Sequence, residues 1–75
     1  LDATGLRALE DVYEQARREQ TVLILSGVHA QPLSVLQRAG LLQRVGRENV
    51  CGNIDTALQR AREILDASEA EKQAE

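Results

Sequence analysis

Apolar positions fall into four runs along the chain, each with its own period. Leu6, Leu9, Tyr13 and Ala16 recur at steps of three and four, which is one face of a helix. The opposite face carries Arg7, Asp11, Glu14 and Arg18, so Arg7 with Asp11 and Glu14 with Arg18 stand one turn apart. This helix is expected to end near Glu19 and Gln20. The second run, Val22-Leu23-Ile24-Leu25-Ser26, is continuous rather than alternating and closes at Gly27. Such a run predicts a strand buried on both faces of a parallel sheet.

Residues 27–31 are expected to form a turn, and Pro32 suits a first helical position, where its missing N–H is no loss. Leu33 and Leu36, with Val35 beside them, face inward from that helix. Gly40 reads as its left-handed stop. Leu41, Leu42 and Val45 then pack a short helical turn closed by Gly46. Asn49-Val50-Cys51 predicts a short strand, broken by Gly52-Asn53. Asn53 is a fitting cap for a last helix, whose apolar stripe is Ile54, Ala57, Leu58, Ala61, Ile64 and Leu65. After Asp66 only small and polar residues remain, so 66–75 is a solvated helix extension or a disordered tail.

The predicted order is helix, strand, helix, short strand, helix, an α/β layout. Two strands cannot complete a parallel sheet, and a segment as apolar as Val22 to Leu25 needs neighbours on both edges. The remaining strands are expected ahead of Leu1, which itself reads as a strand end. Alternatively they come from another chain, by homo-oligomerisation or strand exchange through the sheet edge.

Composition narrows the field. Tyr13 is the single aromatic side chain among 75 residues, so the core is built from Leu, Ile, Val and Ala. A net charge of −3 argues against non-specific nucleic-acid binding, which needs a basic field. Cys51 has no second cysteine to bond and fits a reducing compartment. No apolar run approaches the ~20 residues of a membrane span, and the chain does not open like a secretion signal.

Candidate chemistry is sparse. His29 sits alone in a turn, which fits an exposed loop residue better than a metal ligand. Cys51 lacks a histidine partner and reads as a small buried apolar residue. No phosphate-binding glycine loop is present. What remains is Asp2-Ala3-Thr4-Gly5 at the start of the first helix. Thr4 can offer its hydroxyl to the free N–H groups of that helix, and Asp2 brings negative charge to the positive end of its dipole. Two readings stand: a helix cap, or a hydroxyl at which phosphate is held or attached.

The opening Leu1-Asp2-Ala3-Thr4-Gly5-Leu6, placed before an amphipathic helix, resembles the conserved loop of STAS domains. These modules occur in bacterial anti-sigma-factor antagonists and at the C-terminal ends of SulP-type sulfate permeases. Leu23-Ile24-Leu25-Ser26-Gly27-Val28 with Gln31-Pro32-Leu33 is similar to the next strand and helix of the permease branch. Arg38-Ala39-Gly40-Leu41 and Ile54-Asp55-Thr56-Ala57-Leu58 are similar to its following two helices.

The resemblance implies an α/β STAS sandwich of which residues 1–65 would be the C-terminal portion, with the N-terminal strands missing. It implies a non-enzymatic regulatory domain of an anion transporter, on the cytoplasmic side of the inner membrane. The partner would be the permease's own transmembrane domain, with nucleotide binding implied by resemblance only and no catalytic or metal residue. In the antagonists the matched loop carries a phosphorylatable serine, so Asp2, Thr4 and Gly5 become the candidate regulatory loop, with Thr4 in the serine's place. The alternative is a soluble antagonist-like partner-switch protein phosphorylated at Thr4.

Overall fold

The computed structural model describes residues 2–74; Leu1, read above as a strand end, lies outside them. Four α-helices are present among the described residues: α1 (Ala3–Arg18), α2 (Ala30–Arg38), α3 (Leu41–Val45) and α4 (Ile54–Ala74). A 3₁₀ turn, Arg47–Asn49, lies between α3 and α4.

The core is a four-residue knot. Leu36 of α2 and Leu41, Leu42 and Val45 of α3 are buried together. Leu6, Leu9 and Tyr13 of α1 close it from one side; Leu23, Leu25, Val28, Leu33 and Val50 pack around it. Each fully buried leucine contributes about 1.5–3 kcal/mol, so α2 and α3 form the most stable part of the chain. The turn between them follows the expectation. Gly40 takes φ +76°, and its N–H donates to the Gln37 carbonyl at 3.1 Å. Leu41, just past that turn, then packs back on Leu36, which ties the two helices together.

α1 ends in the same way without a glycine. Thr21 N–H donates to the Ala16 carbonyl at 2.8 Å and Gln20 N–H to Arg17 at 3.2 Å, with Gln20 at φ +57°. These two bonds satisfy carbonyls that the helix end leaves free, and they hold a side-chain-bearing residue in the left-handed region.

The two predicted strands meet, but at one point. Leu25 and Val50 form an isolated parallel bridge. Leu25 N–H donates to Asn49 C=O at 2.7 Å, Cys51 N–H to Leu25 C=O at 2.8 Å, and Val28 N–H to Cys51 C=O at 3.0 Å. The pairing goes no further because residues 47–49 curl into the 3₁₀ turn and Gly52-Asn53 bends away. Within Val22 to Ser26 only Leu25 is bridged, and no strand ladder forms among the described residues. The chain is mostly helical. Val22 is about half exposed, against the expectation of burial on both faces.

Three further expectations are corrected. Pro32 is the third residue of α2, not the first: His29 takes the extended N-cap position three residues before it. The position is still tolerated, since first-turn N–H groups have no helical partner. Glu14 does not pair with Arg18. Its carboxylate meets Arg44 on α3, and Arg18 donates to Gln15 Oε1 at 2.9 Å instead. The stripe of α4 is only partly used: Ala57 is buried and Ala61 and Ile64 half-buried, whereas Ile54, Leu58 and Leu65 are exposed.

Other expectations hold. Arg7 and Asp11 pair at 3.5 Å. Asn53 caps α4, its Oδ1 accepting from Thr56 N–H at 2.8 Å and from Thr56 Oγ1 at 3.0 Å. Residues 66–74 continue α4 as an exposed helix.

Candidate functional site

Asp2, Thr4 and Gly5 come together as the first turn of α1 rather than as a loop. Asp2, extended at φ −92° and ψ 178°, is the N-cap. Its Oδ1 accepts from Gly5 N–H at 2.8 Å, and its carbonyl accepts from Leu6 N–H at 2.9 Å. The capping role expected of Thr4 thus belongs to Asp2. The reason is position: the helix begins at Ala3, so Thr4 already has helical geometry and stands one residue too late to cap. Thr4 is exposed and Gly5 half-buried.

The result is a helix start where one of the first-turn donors, Gly5 N–H, is already satisfied by a carboxylate, with an accessible hydroxyl beside it. The Asp2 charge also occupies the positive end of the helix dipole. Any anion added at Thr4 must share that end with it.

His29 is exposed at the start of α2 and makes no side-chain capping bond. Cys51 is buried, as expected, its thiol 3.9 Å from the Glu48 carbonyl. Among the described residues no group of three or more His, Cys, Asp or Glu is placed to hold a metal ion. No described helix is long and apolar enough to cross a membrane.

Two polar clusters escaped the sequence reading. Arg44 lies over the Tyr13 ring and pairs with Glu14. Asn49, buried, accepts from Arg60 Nε at 2.7 Å and donates through Nδ2 to the Val45 carbonyl at 3.0 Å. Both join residues far apart in sequence, and no local pattern marks either.

Helices packed about a single parallel bridge, the first of them opening on a capped Asp-Ala-Thr-Gly turn, define the class: a mostly helical unit with one strand-type pairing. A model of the STAS domain family matches residues 1–61. The chain belongs to the STAS domain family. Among solved structures it is similar to the crystal structure of a sulfate transporter family protein from Wolinella succinogenes, with 37% sequence identity and a TM-score of 0.81. The match covers 87% of this chain and 53% of that one, so the chain spans about half the length of its structural relative. No curated protein matches it.

Proposed function

We propose that this chain is a non-enzymatic regulatory and interaction module, the C-terminal portion (residues 1–65, with 66–75 as a polar tail) of the STAS domain of a SulP-type sulfate or anion transporter. The observation that carries this reading is the 37% identity, at a TM-score of 0.81, to a sulfate transporter family protein. In this reading the module works on the cytoplasmic side of the membrane and its partner is the permease's own transmembrane domain. Transport chemistry lies in that domain, and no residue of this chain binds the transported anion.

The bridge at Leu25 uses one edge of its segment and leaves the other for pairing. Leu25 spends both backbone groups on the Asn49–Cys51 segment, so the alternation of a parallel strand directs those of Ile24 and Ser26 to the other edge. Beyond the bridge, Val50 N–H is already taken by the Arg47 carbonyl at 3.2 Å, so it does not donate to a further strand. A cleft of about 420 Å³ flanks the Val22 segment, lined in part by Val12, Ala16, Val22 and Leu23. Additional strands seated beside Ile24 satisfy its backbone groups and cover these apolar side chains.

The test is the gene. The reading frame that encodes this chain is expected to encode several apolar spans of ~20 residues. A frame without them overturns the permease assignment.

The exposed Thr4 hydroxyl supports a second reading, an antagonist-like partner switch phosphorylated at Asp2-Thr4-Gly5. Phosphate brings about −1.5 to −2 charge beside Asp2 and would loosen the cap. Mass analysis after incubation with a cognate kinase distinguishes the two; an unmodified Thr4 argues for the transporter module.

A further inference from the structure

We infer that α4 is a latched arm, held to the body by the Arg60–Asn49 hydrogen bond and opening as a unit about Gly52 while α1, α2 and α3 stay folded. The helix is 21 residues long, yet Ala57 is its one buried residue. The core leucines all belong to α2 and α3, so lifting α4 leaves that cluster intact. Of its other apolar residues only Ala61 and Ile64 are half-buried, so apolar burial is small for a helix of this length.

The polar contact does more. Asn49 is satisfied from both sides, its Nδ2 bound to Val45 and its Oδ1 to Arg60 Nε at 2.7 Å. The other Arg60 contacts are longer: 3.9 Å to Glu48, and 3.5 Å to Glu63 of the same helix. A short bond to a buried acceptor, made by a charged donor that is itself mostly covered, is the strongest link between α4 and the body.

Past Arg60 the helix bridges a gap. A cleft of about 370 Å³ lies between α4 and the Val22 segment, its walls including Val22, Asn49, Ile64, Ala67 and Ser68. The second half of α4 spans this cleft and continues into the exposed residues 66–74. At the other end, Gly52 is exposed and not wedged: a Cβ there would meet only the Val28 carbonyl, at 3.9 Å. The Asn53 cap bonds within α4 and moves with it. Once open, α4 loses the tertiary packing that supplies most of a helix's stability in a protein, so its amides lose protection.

Native-state hydrogen exchange of the 75-residue chain tests this. Amides of residues 58–70 are expected to exchange at least tenfold faster than those of residues 36–45. Arg60→Ala is expected to speed the α4 amides a further tenfold or so while leaving residues 36–45 unchanged. Equal protection of α4 and the core in the wild type, or uniform exchange throughout, overturns the inference without need of the variant. So does an Arg60→Ala protein in which both regions accelerate together.

Discussion

The Arg44 guanidinium lies over the Tyr13 ring, 4.9 Å from its centroid, and pairs with Glu14, the residue next to Tyr13 on the same helix. One side chain on α3 thereby grips two consecutive residues of α1 and fixes that helix on the core.

Both partners of the ion pair are more than a third exposed, at 44% and 40%, so solvent screening keeps their share small. The stacking adds about 0.5–1 kcal/mol. Arg44→Ala should therefore cost about 1 kcal/mol. A double-mutant cycle with Tyr13→Leu, read from urea midpoints, should return a coupling near 0.5 kcal/mol. Strict additivity would mean that the stacking carries no energy.

The first turn of α1 makes a second prediction. Asp2→Ala removes the side chain that satisfies Gly5 N–H and should cost about 1 kcal/mol. Asp2→Asn keeps the acceptor and loses only the charge at the helix end, roughly 0.3–1 kcal/mol. Thr4→Ala should stay within about 0.5 kcal/mol of the parent. Thermal unfolding of the three variants decides whether Asp2 or Thr4 caps the helix.

Gln20 sits at φ +57° at the end of α1. Glycine there relieves a left-handed strain of about 1–2 kcal/mol but frees the unfolded chain. Gln20→Gly is expected to raise the unfolding free energy by roughly 0.5–1 kcal/mol, and Gln20→Val to lower it. A destabilising Gln20→Gly would contradict the backbone assignment.

Leu42 and Leu58 differ in the expected cost of truncation. Leu42 is 2% exposed in the centre of the core and Leu58 is 61% exposed on α4. Leu42→Ala should lose about 2–5 kcal/mol, enough to unfold much of so small a chain. Leu58→Ala should change stability by less than about 0.5 kcal/mol. Circular dichroism at increasing denaturant separates the two outcomes.

The open edge at Ile24 predicts association when the chain is studied alone. Sedimentation at varied concentration should show reversible oligomers, and Val22→Lys should weaken them by placing charge beside the edge. A well-folded monomer at every concentration would refute the proposed role of that edge.

Local chemistry made much of this fold legible in the sequence. Gly40 and Gly46 both have positive φ, and Asn53 caps α4 through its own side chain, because these effects reach only a few residues. The errors arose where a distant partner competes. Glu14 faces Arg18 one turn away, yet it takes Arg44 because α3 packs against α1. Ile54, Leu58 and Leu65 carry a good helical period, but the period of a stripe does not say whether anything covers it. The left-handed Gln20 and the buried Asn49 have no local signature at all. At the candidate site, the placement of Asp2, Thr4 and Gly5 at the start of α1 was legible. Which oxygen caps the helix depended on a single-residue shift of its start.

The Leu25–Val50 bridge joins positions 25 residues apart. Closing so wide a loop carries an entropic penalty that the two intervening helices must first reduce by folding it short. The α2–α3 hairpin, with its local contacts, should therefore organise early, and the bridge should form on the native side of the barrier. Weakening the bridge would then accelerate unfolding and leave the refolding rate almost untouched.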